Sequence, residues 1–576
     1  MEEAGKPKPL FWIALFAIVA GLVAFALMRA DILFPKAKTD GTANISKEDL
    51  DKAKGITGVE AADANAPTTV KEYKFVASDK LPPVTGAANY KLTDNTVRFA
   101  LNVWAGWAPV IFANNGFKPE KVWKAADGTE FKVELVLIDD PVAMRDAYAS
   151  GSVQVGWATV DMLPLFIDDL KKDSRTMPRV YQQIDWSNGG DGIVARDGIT
   201  SIAQLRGKTI ALSQNSPSQY FVLNALINGG VQPSEVKFLY TGDAFQAAAA
   251  FNADKKISAC VSWSPDIYNL AKIKGNHMVV STADANRLIA DVWFSRADFA
   301  KDHQPIIEAL VRGFLDATDA LDNQENKVKA SKLMADGYKL PPEDALGMLG
   351  DAHWTNYAEN RDFFLNQNNP TNFERTWDTA YYLYGQIHKG GEKVAWDKVA
   401  DFSVIQKLGS EEKYSKSVNK YVVNFAAKSV SSIESTSGEI LTKTVVIHFF
   451  PNSVDLHKKI TKNGGGGEEL YDPNVDIVID EIGKLAGQYG ASRIVIEGHT
   501  DSSMKGTVPN ASVMELSTSR AESVRQALLA KFPATNPNQI GATGKGWDVP
   551  ADPQDPNNHA KNRRVEVKVY PLEQQN

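Results

Sequence analysis

Indole rings and carboxylates recur together in short loops through the middle of this chain. They appear in Trp104-Ala105-Gly106-Trp107-Ala108-Pro109, in Trp157-Ala158-Thr159-Val160-Asp161, in Gly190-Asp191, at Trp263 with Asp266, and at Trp293. Trp faces beside Asp161, Asp191 and Asp266 suit a cationic ligand such as a quaternary amine, because the ring quadrupole and the carboxylate both attract positive charge. A second run suits the opposite charge. Ser213-Gln214-Asn215-Ser216-Pro217-Ser218-Gln219 follows a strand pattern and opens a helix, with Ser216 at the N-cap and Pro217 at the first helical position. Free backbone N–H groups there, with the Ser213, Ser216 and Ser218 hydroxyls, favour an anion. No Arg or Lys lies in these loops, which weighs against a doubly charged oxyanion. Ligand charge stays open at this point.

Other chemistries find little support. The lone Cys260 excludes an intrachain disulfide framework and a Cys-rich metal site; in Ile257-Ser258-Ala259-Cys260-Val261 it reads as an inert thiol in a buried strand. His499 has no partner at metal-ligand spacing. Asn463-Gly464-Gly465-Gly466-Gly467-Glu468 lacks the Gly-Lys-Ser/Thr of a phosphate loop and reads as a flexible insertion. No Ser-His-Asp or paired-carboxylate constellation emerges, so no enzyme, cofactor or metal is expected. A net charge of -7 gives no basic footprint for nucleic acid.

The elements that position these residues alternate. Val97 to Val103 has period two, as a half-buried strand should, and residues 131–138 repeat the pattern. Residues 141–149 read as a short helix and 153–157 as a strand, so the expectation is an α/β fold with parallel sheets. Ligands in such folds bind beyond the carboxyl ends of strands, where the loops above lie. From about 299 to 407 the pattern is mainly helical. At 576 residues the chain is too long for one core and suggests two or three domains with linkers.

Ser201-Ile202-Ala203-Gln204-Leu205-Arg206-Gly207-Lys208-Thr209-Ile210-Ala211-Leu212, a helix over 223–230, and Cys260-Val261-Ser262-Trp263-Ser264-Pro265 resemble the solute-binding proteins of nitrate, sulfonate and taurine importers. The resemblance covers about residues 94–408 and implies two α/β lobes joined by crossover strands, with lobe two from about Gly192 to Ala285. It also implies a small-molecule ligand in the cleft and an ABC transporter permease as partner. The turn at Ser213, Ser216 and Ser218 is where such ligands commonly sit. The same family resembles a thiamine-pyrimidine synthase that uses a Cys-rich segment, which a single cysteine argues against.

His499-Thr500-Asp501, Leu516-Ser517-Thr518-Ser519-Arg520-Ala521 and Asn562-Arg563-Arg564 follow in order near the C-terminus. Together they resemble the OmpA-like peptidoglycan-binding domain over residues 441–576, an α+β sandwich. The resemblance implies that Asp501 and Arg520 hold the diaminopimelate of the stem peptide, with Thr500, Asn562 and Arg564 bordering the pocket. The chemistry suits a carboxylate for the ammonium and a guanidinium fork for the carboxylate. Two departures stand out: Val513 where the family usually has Asn, and an enlarged loop over 502–510. Ser512-Val513-Met514-Glu515 reads as a capping box that begins the helix carrying Arg520.

Residues 10–28 are an uninterrupted apolar run of about 28 Å as a helix, close to bilayer thickness. An uncleaved transmembrane anchor is expected, with a cleaved signal peptide as the competing reading. Residues 1–9 would form a cytoplasmic tail, 29–93 a flexible linker and 409–440 a second linker. The overall expectation is a multidomain receptor for a nitrate- or sulfonate-like anion or related nutrient, on a single-pass helix in a bacterial inner membrane, bulk in the periplasm, gripping peptidoglycan and feeding an ABC importer or sensing. The alternative is a structural tether with a degenerate cleft. A motor stator also joins one helix to an OmpA-like domain, but no aspartate lies in residues 10–28 to carry protons.

Overall fold

The computed structural model describes residues 81–384, 392–461 and 466–572. The segment read as a membrane anchor lies outside these. Among the described residues no helix is long and apolar enough to cross a membrane.

The first lobe is built on seven strands in the order β12-β5-β11-β4-β1-β3-β2. These are β1 (Thr96–Leu101), β2 (Val122–Lys124), β3 (Glu130–Leu137), β4 (Val155–Thr159), β5 (Pro178–Ser187), β11 (Ala290–Arg296) and β12 (Ala352–Trp354). The second lobe holds five, β10-β6-β9-β7-β8: β6 (Asp191–Arg196), β7 (Thr209–Ser213), β8 (Lys237–Thr241), β9 (Ala259–Trp263) and β10 (Asn276–Ser281). The chain crosses between lobes twice, from β5 into β6 and from β10 back into β11. Parallel sheets were the expectation, and both sheets are mixed. β1, β3 and β4 run parallel, as do β7, β8 and β9, while β5, β6, β10 and β11 run antiparallel to their neighbours. β6 and β11 each enter their sheet from the opposite lobe and run antiparallel to the strands beside them.

Large rings fill the first core: Trp107, Trp293 and Phe314 surround Phe99. Cys260 is buried in the second lobe with Phe251 and Ile267. Helix α1 (Pro217–Asn228) spans that lobe, and α2 (Gln304–Ala320) and α3 (Phe373–Leu383) belong to the helical stretch that completes lobe one.

The C-terminal domain is a four-stranded sheet, β13-β18-β16-β17, with a separate ribbon of β14 and β15. The strands are β13 (Leu441–Val445), β14 (Lys459–Thr461), β15 (Glu468–Leu470), β16 (Ser492–His499), β17 (Ile540–Gly546) and β18 (Arg564–Pro571). Helices α4 (Val475–Gln488) and α5 (Asn510–Lys531) complete an α+β sandwich. Here α5 begins two residues before Ser512, so the capping-box expectation is corrected: Pro509 occupies the N-cap and Ser512 lies within the first turn.

This domain rests on both lobes and on a crossover. Asn224 of α1 donates to Gln488 Oε1 at 3.2 Å, and Lys443 Nζ donates to Asn228 Oδ1 at 3.1 Å. On lobe one Arg375 lies 3.5 Å from Asp480 and over the Phe532 ring. The Arg287 N–H, in the connection from β10 to β11, donates to the Gln488 carbonyl at 3.1 Å. Residues 409–440 run between the domains as an ordered strap, with Tyr421 stacked on His353 at 3.8 Å. At the other end Tyr90 is tied to Asp302 at 2.9 Å, so the chain preceding β1 is held against lobe one.

Candidate functional site

A cavity of about 30 Å³ lies where the two lobes meet, at the carboxyl ends of β4 and β9 and the N-terminus of α1. It is lined by Trp104, Trp157, Trp263, Thr159, Asp191, Ser216 and Asp291, among others. Strand register assembles it. Thr159 of β4 is opposite Asp291 of β11, which is opposite Asp185 of β5, so three polar side chains form a row across the lobe-one sheet. Asp191 opens β6 and pairs with Trp263 of β9, bringing a carboxyl and an indole from lobe two. Two glycines permit the close packing. A β-carbon on Gly106 would occupy the place of the Asp185 carboxyl, and one on Gly190 would overlap the Trp104 indole.

The carboxyls are buried: Asp161 is 1%, Asp185 0%, Asp191 4% and Asp291 6% exposed. Ser187 Oγ donates to Asp191 at 2.7 Å, and Trp104 Nε1 donates to Asp185 at 3.1 Å. No Lys or Arg lines the cavity. Burial accordingly pushes the Asp161 and Asp191 carboxyls up to about 7, with neighbouring carboxyls adding to it. Asp185 rises to about 8 for the same first reason, and burial also holds Asp291 well above the usual carboxylate range, with Asp185, Asp191 and Asp161 adding to it. Both Asp161 oxygens and the Thr159 hydroxyl are buried without a hydrogen-bond partner of good geometry.

Of the sequence candidates, Trp104, Thr159, Asp191, Ser216 and Trp263 line the cavity, and Asp161 stands behind Thr159. Trp107 does not reach it: the ring is in the lobe-one core and donates to Asn102 Oδ1 at 2.8 Å. Trp293 is likewise core and donates to Gln182. Asp266, half-buried at the start of the helix Asp266–Ala271, is not among the lining residues.

The serine turn differs from its expectation. Ser216 is the N-cap and Pro217 follows, but the Ser216 hydroxyl donates back to the Ser213 carbonyl at 2.9 Å. Ser213 Oγ turns to the Gly242 carbonyl, Gln219 takes the Asn215 N–H at 2.7 Å, and Ser218 Oγ is buried without a partner. These bonds use much of the polarity that would grip an anion.

Asp185 and Asp291 were not among the candidates because they lie inside strands. The available signal was a charged residue in an otherwise apolar run, as in Ile289-Ala290-Asp291-Val292-Trp293.

In the C-terminal domain Asp501 is fully buried. Arg563 Nε lies 2.7 Å from its Oδ2, the Ser503 N–H donates to Oδ1 at 2.6 Å, and His559 lies 3.4 Å away. Arg520 donates to the Ser453 carbonyl at 3.1 Å and sits over the Phe449 ring. Arg520, Arg563 and Arg564 border one cavity of about 10 Å³ with His499 and Phe449, so Arg563 links Asp501 to the space beside Arg520. Asn562 holds a turn, accepting from the Ala551 N–H and donating to the Pro556 carbonyl. Arg564 pairs with Glu566 at 2.7 Å, and the Thr500 N–H donates to the Gly546 carbonyl. Sequence reasoning passed over Arg563, which makes the direct ion pair with Asp501.

Glu497, His499 and Glu566 bring their ligand atoms within 4.8 Å of one another, close enough for a metal ion. Their charge is already matched. Lys568 and Lys545 stand 3.1 and 3.3 Å from Glu497, and Arg564 holds Glu566.

Comparison with known proteins agrees with this division. Residues 128–326 match the family described as NMT1/THI5 like, and residues 465–564 match the OmpA family. The taurine-binding periplasmic protein of Escherichia coli (strain K12) is 26% identical over 261 residues, 43% of this chain and 76% of that protein. The periplasmic aliphatic sulphonate binding protein SsuA from Escherichia coli aligns with a TM-score of 0.41 at 16% identity, covering 59% of this chain and 98% of that one. The periplasmic nitrate-binding protein NrtA from Synechocystis PCC 6803 aligns with a TM-score of 0.38 at 15% identity, covering 55% and 88%. The chain thus carries two separate segments, one similar to each family.

Proposed function

We propose that this protein is an extracytoplasmic solute-binding receptor whose C-terminal domain grips peptidoglycan and whose residues 10–28 anchor it in the inner membrane. Captured solute would pass to an ABC-type permease or report on a nutrient. The observation that carries the reading is the cavity between two lobes, with aromatic walls and buried polar groups short of hydrogen bonds. Such groups are costly unless a ligand or water completes them. The matched relative is a periplasmic binding protein, which supports binding rather than catalysis.

Wall attachment is supported by the OmpA-family match and by three guanidiniums bordering one cavity, of which Arg563 also pairs with Asp501, a setting for the carboxylates and ammonium of a stem peptide. The small volume of the lobe cavity favours one second reading, a tether whose cleft has closed for good.

The test is thermal unfolding of the full chain in detergent against a broad panel of amines, sulfonates, oxyanions and pyrimidines. The receptor reading expects at least one compound to raise the Tm of the lobes by several degrees. Silence across the panel, with sacculi still retaining the protein, would leave the tether.

A further inference from the structure

We infer that the cleft takes a protonated amine, its ammonium head seated between Trp104, Trp157 and Trp263 and facing Asp191 and Asp291. This deepens the receptor reading and rests on it. It parts from the sulfonate named for one aligned structure, whose likeness at 16% identity speaks to fold alone.

Three observations lead there. The first is charge: the lining holds two carboxyls and no base, with Asp185 and Asp161 behind them. Buried carboxylates are stable when paired or when a ligand supplies the missing charge, and here nothing within the protein supplies it. Charge and aromatic faces act together, because indole rings attract a cation through the same space the carboxyls face.

The second is that most of the polar groups suited to an anion are spent. Ser216 donates to Ser213, Ser213 turns to Gly242 and the Asn215 N–H is taken by Gln219, while Ser218, whose hydroxyl has no partner, is not among the residues that line the cavity. Thr159 differs: 2% exposed and lining the cavity, its hydroxyl leans on Asp161 and keeps lone pairs that can accept from an ammonium N–H.

The third is size. The cavity is small, about 30 Å³, and a compact head group suits it better than a bulky one. A primary amine therefore fits the lobes as they stand better than the quaternary amine the residue types alone suggested.

Neutralised acids offer a counter-reading, since protonated carboxyls can donate hydrogen bonds to an anion. The experiment separates the two by comparing ligands that share an ethyl group and carry opposite charge. Ethylammonium and ethanesulfonate are titrated into the full chain in detergent, with tryptophan fluorescence and unfolding temperature as readouts. Asp191→Asn and Asp291→Asn serve as variants, either sufficing if the other fails to fold.

The inference expects a response to ethylammonium, none to ethanesulfonate, and at least a tenfold weaker ethylammonium affinity in the variants. A response to ethanesulfonate alone, or equal responses to both, overturns the assignment of charge and leaves the receptor reading standing. Silence from both overturns the inference, and the receptor reading falls with it only if the broad panel is also silent. Full ethylammonium affinity in a folded variant overturns the assigned residues.

Discussion

Two clusters of buried carboxyls, one in the lobe cleft and one in the C-terminal domain, have opposite electrostatics. Around Glu497 burial alone would raise the carboxyl, yet His499 at 3.6 Å and the charges of Lys568 and Lys545 outweigh it and hold the group well below the usual range. Around Asp191 burial acts without any base to oppose it, and the carboxyl rises to about 7. Desolvation is common to both, so the difference lies in the partners. The C-terminal cluster is complete within the chain. The cleft cluster lacks a positive charge, and a binding site is where such a deficit has a use.

The comparison can be broken most sharply at Arg563. Arg563→Ala would leave Asp501 buried without its guanidinium, and removing one member of a buried pair typically costs about 3–5 kcal/mol. Denaturant unfolding of the full chain should show that loss in the transition of the C-terminal domain, with the lobes unchanged. Loss of less than about 1 kcal/mol would mean that water reaches Asp501 freely.

Opposite pH responses should follow next. Glu497 titrates lower when folded, so its contribution is present above its unfolded value and is lost as pH falls. Asp161 and Asp191 titrate higher when folded, near 7, so their contribution is full at acid pH and is lost as pH rises towards and through neutrality. The groups facing Asp161 are Thr159, Asp191, Asp291, Tyr220 and Tyr384, and none can offset the rising charge. Hydrogen exchange corrected for intrinsic rates should show β13, β16 and β18 loosening in acid, and β4, β5 and β11 loosening in mild alkali.

Asp161→Asn sharpens the same contrast with a smaller effect. Near pH 8 the ligand-free protein should gain about 1–3 kcal/mol, because an uncompensated buried charge is replaced by a neutral amide. A change of that kind at Glu497 should destabilise instead. The smallest effect is at the domain contact. Asn224→Ala removes hydrogen bonds to Gln488 and Asn228 and should cost about 1 kcal/mol.

Much of this architecture was legible in the residues. Period-two patterning marks β1 and β3, and the motif-bearing blocks around Asp501 and Arg520 point to the domain that the OmpA-family match covers. Trp104, Thr159, Asp191 and Trp263 converge because strand-end loops of both lobes meet at the crossovers. The rest depends on information a sequence does not display. Strand register decides that Asp185 and Asp291 lie side by side, and no local pattern encodes which residues face each other across non-adjacent strands. Trp107 and Trp293 carry the same residue type as the cleft tryptophans, and only their position in the packed sheet sends them to the core. Direction of the crossing strands was hidden for the same reason, since local alternation reads alike in parallel and antiparallel pairs.

The most direct test counts protons. Calorimetry of ethylammonium binding in two buffers of different ionisation enthalpy, near neutral pH, measures the hydrogen ions exchanged per ligand bound. A cation arriving beside Asp191, Asp291 and their neighbours should draw those carboxyls back towards ionisation and release protons. Heats identical in the two buffers, or net proton uptake, would contradict the account of the cleft as a site with one positive charge missing.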